Sequence, residues 1–135
     1  MQVVSTPQRW IGRVLTGLVT LFLLFDGVTK VMRHPMSVEG TVTLGYPDSS
    51  VVPIGVLVLV GLGLYLIPRT SVLGAIWLTG FLGGAIATHV RLGNPLFSHT
   101  LFPVYLAAVM WAGLALRTPR VRALLLNRSP VDSTP

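Results

Sequence analysis

Residues 11–31 read IGRVLTGLVTLFLLFDGVTKV, an apolar run with Arg13 near its start and Asp26 and Lys30 near its end. Its 21 residues make a helix of about 31 Å, enough to cross the hydrocarbon core of a bilayer. Asp26 stands five residues before the end of the run, roughly 7 Å inside the boundary. An ionisable group costs about 2.5–3.5 kcal/mol at the centre of a membrane helix and less towards the interface. Lys30 follows at i+4 on the same helix face, so the two charges can pair or share a polar pocket. The run therefore predicts a membrane helix with a polar site near one end.

The rest of the composition agrees with a membrane chain. Of 135 residues, 52% are hydrophobic and only 10% charged, against about 25% charged in a soluble domain. The mean hydropathy is +0.75. The length fits one domain. A formal charge of +6 and a pI near 11.2 do not point to nucleic acid, because the basic residues sit at the ends of apolar runs, where they anchor helices to headgroups. With no cysteine, disulfides, thiolate metal sites and thiol redox chemistry are excluded for this chain. No small-residue cleavage site follows the first run, so a signal peptide is not expected.

Four spans are expected, over residues 11–31, 51–67, 72–90 and 101–116. Trp10 with Arg9 and Arg13 forms an interfacial anchor ahead of the first. Between the first two, Pro35 can open a short interfacial helix and Gly45 can end it, with Tyr46-Pro47-Asp48 as a turn. Pro68-Arg69-Thr70-Ser71 is short enough to make the second and third spans antiparallel neighbours. On the third, Gly80, Gly84 and Thr88 recur every four residues beside Gly83 and Ala87, a pattern read as close helix packing. Gly93-Asn94-Pro95 is the next turn. Residues 117–128 read as a basic amphipathic tail along anionic headgroups, and 129–135 as a disordered end. The fold class is an all-α integral membrane four-helix bundle.

An even number of spans places both termini on one side. That side carries Arg9, Arg13, Arg69, Arg117, Arg120, Arg122 and Arg128, the other only Lys30, Arg33 and Arg91. The bias predicts cytoplasmic termini and outward-facing longer loops. Asp26, Lys30, Glu39, His89, Arg91 and His99 then gather on the outer side, and no comparable ionisable cluster is expected in the inner half. Asp26 is expected to pair with Lys30 or to accept a hydrogen bond from His89, an imidazole suited to proton exchange. Glu39 has a plain reading as a solvated loop charge. The six residues are the ligand-pocket candidates. A lipid-soluble quinone is the candidate ligand, since its reduction takes up protons at a carbonyl oxygen. The plain alternative is a hydrogen-bonded network that only fixes one helix against another. His89 and His99 lie ten residues apart, which is not a metal-ligand spacing, and no metal is expected.

Asp26-x-x-x-Lys30, then Leu44-Gly45-Tyr46-Pro47, then Gly83 through His89 into Gly93-Asn94-Pro95 resemble, in order and spacing, the DoxX-like family of small bacterial membrane proteins. The resemblance spans residues 10 to 118. It implies a four-helix bundle in a bacterial inner membrane and a link to redox complexes, since founding members are subunits of a quinone-reducing thiosulfate oxidoreductase. It names no catalytic residue to carry over. The absence of cysteine speaks against sulfur transfer by this chain. The expected function is a membrane subunit or small-ligand-binding module with an outward polar pocket, rather than an enzyme on its own. Rivals are a quinone-linked oxidoreductase component and a small proton-coupled carrier, the latter disfavoured by an apolar inner half. Expected partners are the bilayer, a protein of a redox complex, and a second copy of the chain through the small-residue faces.

Overall fold

The structure is a computed structural model that describes residues 5–127; Arg128 and the expected disordered end at 129–135 lie outside the described residues. The first helix, α1, covers Thr6–Val31 and so starts five residues before the apolar run does. Ser5 and Gln8 explain the early start. The Gln8 amide donates to the Ser5 hydroxyl at 3.4 Å and the Ser5 amide to the Gln8 side chain at 3.3 Å, a reciprocal cap that satisfies two otherwise unpaired donors. Pro7 stands in the first turn, where its missing N–H costs nothing.

Met32 and Arg33 turn the chain, with Arg33 in the left-handed region at φ 55°. The short helix α2, Pro35–Thr43, then lies across one end of the bundle, and the His34 ring accepts from the Met36 amide at 3.3 Å as its cap. Gly45, at φ +92°, turns the chain out of it. A 3-10 turn, Asp48–Ser50, runs directly into α3, Val51–Leu66. After the Pro68 turn, α4 covers Ser71–Leu92, two residues beyond the expected end, so Arg91 belongs to its last turn and not to the loop. A π-helical turn, Leu96–Thr100, leads into α5, Phe102–Arg117, and α6, Pro119–Leu125, folds back at the terminal end. There Val121 is buried against the core, the Arg122 guanidinium donates to the Gln8 side chain at 3.4 Å, and Leu124, Leu125 and Leu126 stay exposed.

Four helical segments, Thr6–Val31, Asp48–Leu66, Ser71–Leu92 and Leu96–Arg117, are long and apolar enough to cross a membrane. The described residues contain no strand. The chain is an all-α four-helix membrane bundle. α1 packs against α3 and α5, and α4 closes the ring against the same two helices, so α1 and α4 face each other across the diagonal.

Two glycine crossings set this ring. At Gly27 a Cβ would meet the Leu59 side chain at 2.6 Å, and at Gly55 one would meet the Gly27 carbonyl at 2.9 Å. At the other end of α1, Gly12 and Gly113 approach in the same way: a Cβ on either would lie within 3.2 Å of the other's carbonyl oxygen. In lipid, where helices gain nothing by hiding apolar surface, such close backbone contact is a main source of association. Between the crossings lies a core of Val19, Leu23, Val58, Leu62, Tyr65, Leu78, Met110 and Leu114. Tyr65 is fully buried there. Its hydroxyl donates to the Met110 carbonyl at 2.8 Å, as a polar group shut inside a bundle must. Outward, Leu18, Leu21, Phe25, Leu73 and Ile76 are exposed, the surface a bilayer would cover.

The small-residue row of α4 does not pack. At Gly80, Gly83 and Gly84 an added Cβ would meet nothing within 4 Å, which overturns the packing expected there. Gly80 and Gly84 instead form part of a cavity wall.

Candidate functional site

Under α2, a cavity of about 450 Å³ opens between the four spans. Its body is apolar: Phe22 and Leu23 from α1, Ile54 and Leu57 from α3, Phe81 and Leu82 from α4, Phe102 and Leu106 from α5. Phe22 and Phe102 pack with ring centroids 5.2 Å apart at 60°. Its polar groups sit towards the α2 end, from Asp26 and Lys30 on one side and Thr88 and His89 on the other, with Tyr46 and Thr41 from the α2 connection.

Local geometry puts each there. Phe22, Asp26 and Lys30 recur every four residues, so one stripe of α1 faces the cavity. Asp26 and Lys30 form a salt bridge along that stripe, with their side chains 31% and 16% exposed. The pair is therefore reachable but mostly removed from water, where an ion pair interacts more strongly than it does at a surface. Thr88 and His89 end the corresponding stripe of α4. The His89 ring nitrogen Nδ1 lies 2.8 Å from the Asn94 amide nitrogen, which acts as donor to it and orients the ring. His99, from the π-helical turn, meets the His89 ring edge-on at a centroid distance of 5.9 Å, and its own Nδ1 pairs with the Ser98 hydroxyl at 2.8 Å.

Of the six candidates, Asp26, Lys30 and His89 line the cavity. Asp26 takes Lys30 as its partner; the alternative hydrogen bond from His89 is absent, because α1 and α4 stand on the diagonal and the cavity lies between them. Arg91, His99 and Glu39 do not line it. Arg91 donates to the Leu44 carbonyl at 2.7 Å, pinning the end of α2 to α4. Glu39 is exposed on α2. Among the described residues no three His, Asp or Glu side chains gather as a metal site would require.

The reading of residue types passed over several wall residues. Tyr46 and Thr88 join across the cavity mouth, hydroxyl to hydroxyl at 2.6 Å. Phe22 was legible from its i−4 spacing to Asp26, but nothing local marks Phe81 or Phe102. The terminal end of the bundle carries ionisable groups of its own. Arg13 and Arg117 come together there with Thr16 and Thr20 around a second depression, a pairing of helices α1 and α5 that linear spacing does not reveal.

No curated protein and no solved structure matches this chain. The family model described as DoxX-like matches residues 14–113, reaching from α1 into α5 across the whole cavity, and the chain belongs to that DoxX-like family.

Proposed function

We propose that the protein binds a small amphipathic molecule in the cavity under α2, and that it serves as a membrane-embedded binding module or subunit and not as an enzyme alone. The carrying observation is the division of the walls: an aromatic and aliphatic body capped at one end by Asp26, Lys30, Thr88 and His89. A volume of about 450 Å³ lies within the roughly 300–1,000 Å³ common for small-molecule sites. Gly80 and Gly84, where a Cβ would meet empty space, keep the wall open without serving any helix contact.

The donor set suits a planar ring with carbonyl oxygens, a quinone-like head. Phe22, Phe81 and Phe102 offer ring surfaces, the Lys30 ammonium donates a hydrogen bond, and His89 accepts or donates according to its protonation. When bound, a quinone would supply electron uptake, and this chain would hold the head and exchange protons with it. The electrons would come from a protein partner. The carrier reading is not favoured, because buried Val19, Leu23, Val58, Leu62, Leu78 and Met110 fill the space towards the other end. The surplus of arginine at the terminal end supports a bacterial inner membrane with both termini in the cytoplasm and α2 outside.

The test is mass spectrometry of organic extracts from purified wild type, Asp26→Asn and Gly84→Leu. A defined amphipathic molecule held by the wild type and lost from the folded Gly84→Leu variant is expected. Bulk membrane lipid alone in all three would sink the reading.

A further inference from the structure

The terminal end of the bundle carries an unbalanced pair of cations. Arg117, in the last turn of α5, rests its guanidinium carbon 5.6 Å from the centre of the Tyr65 ring. Its Nε and Nη2 are shut off from water and have no hydrogen-bond partner, and the Thr20 hydroxyl is in the same state. Both residues line a depression of about 370 Å³ together with Arg13. The acids of the described residues, Asp26, Glu39 and Asp48, all belong to the opposite end. Two guanidiniums share the depression with no carboxylate lining it, one of them with buried unpaired donors, an arrangement that is costly unless an anion completes it.

The walls say what kind of anion. Leu21 and Leu66 also line the depression and are exposed, at 68% and 45%. They continue the lipid-facing surface of α1 and α3 away from the arginines. Gly17 lies between, and a Cβ there would meet nothing within 4 Å. The depression is thus cationic at one end, apolar along its side, and open where a chain could lie.

We propose that it is a binding site for an oxyanion of the phosphate type, carried by an anionic phospholipid whose acyl chain runs along Leu21 and Leu66. Arg13 and Arg117 meet the phosphate in the fork geometry that guanidinium offers to such groups, and the Thr20 hydroxyl donates to it. Free phosphate offers the same head chemistry but leaves the apolar side of the groove uncovered. The site is separate from the cavity under α2 and does not depend on what that cavity binds.

The test uses the full chain in a neutral detergent, titrated with phosphatidylglycerol, with phosphatidylcholine, and with inorganic phosphate, reading bound lipid by native mass spectrometry and Tm by thermal unfolding. Phosphatidylglycerol is expected to bind and raise Tm more than phosphatidylcholine. Arg13→Gln is expected to weaken that binding by about fivefold, the effect of one basic residue near an anionic headgroup. Gly17→Leu, at a position where an added Cβ meets nothing within 4 Å, puts a side chain into the groove and is expected to abolish the preference while leaving the unliganded Tm in place. Equal binding of the two lipids, or phosphatidylglycerol binding unchanged in Gly17→Leu, would overturn the proposal. A Tm rise with inorganic phosphate alone equal to that with phosphatidylglycerol would overturn the lipid as the source.

Discussion

The Tyr46 hydroxyl lies 2.6 Å from the Thr88 hydroxyl, joining the segment after α2 to the wall of the cavity on α4. Thr88 already donates to the Gly84 carbonyl at 2.9 Å, so Tyr46 is the donor and Thr88 the acceptor. This bond and the one from Arg91 to the Leu44 carbonyl hold α2 down at two points. Tyr46→Phe removes the first. We expect a stability loss of about 0.5–1.5 kcal/mol and faster amide exchange across residues 35–45, with α3 and α5 unchanged. Hydrogen-exchange mass spectrometry of the purified protein reads both.

Glycines of this chain fall into two groups with opposite predicted behaviour. Gly27→Ala and Gly55→Ala push methyl groups into Leu59 and into Lys30 and the Gly27 carbonyl, and each is expected to cost about 1–3 kcal/mol. Gly80→Ala adds a methyl group to open space and is expected to leave stability within error of wild type. Unfolding curves of the three variants in the same detergent separate the groups, and equal losses in all three would refute the crossing as the bundle's fulcrum.

The Asp26–Lys30 pair is predicted to be coupled. Asp26→Leu leaves the Lys30 ammonium, with a side chain only 16% exposed, without its acceptor, and a loss of about 1–3 kcal/mol is expected. Lys30→Leu on top of it recovers part of that loss, because the orphaned charge is gone. A double-mutant cycle on unfolding free energies measures the coupling, and additive single losses would show that the pair contributes nothing as a pair.

The order of elements was legible before any coordinates. Apolar length marked four spans, and Pro35 and Gly45 bracketed α2. Boundaries moved where a cap acted beyond the apolar run, as Ser5 and Gln8 do for α1, or where a helix continued through polar residues, as α4 does to Leu92. Half of the candidate residues proved to line the cavity. Asp26 and Lys30 were legible as neighbours because i+4 spacing is a local fact, whereas Arg91 and His99 share only an end of the bundle with them.

The sequence by itself determined the number of the spans, their turns, the i+4 spacing that lets Asp26 and Lys30 pair, and the gathering of Asp26, Glu39 and Asp48 at one end. These depend on helix length, backbone preference and local spacing. Only the tertiary structure decided which helices stand on the diagonal, which glycines cross and which line a cavity, and that Arg13 and Arg117 line one depression. The reason lies in the solvent. Membrane helices are apolar nearly all round, and lipid is as apolar as the interior, so no polar-to-apolar contrast tells a helix which face to turn inward. The close fit of Gly27 on Gly55 and of Gly12 on Gly113 makes that choice, and every pocket wall follows from it.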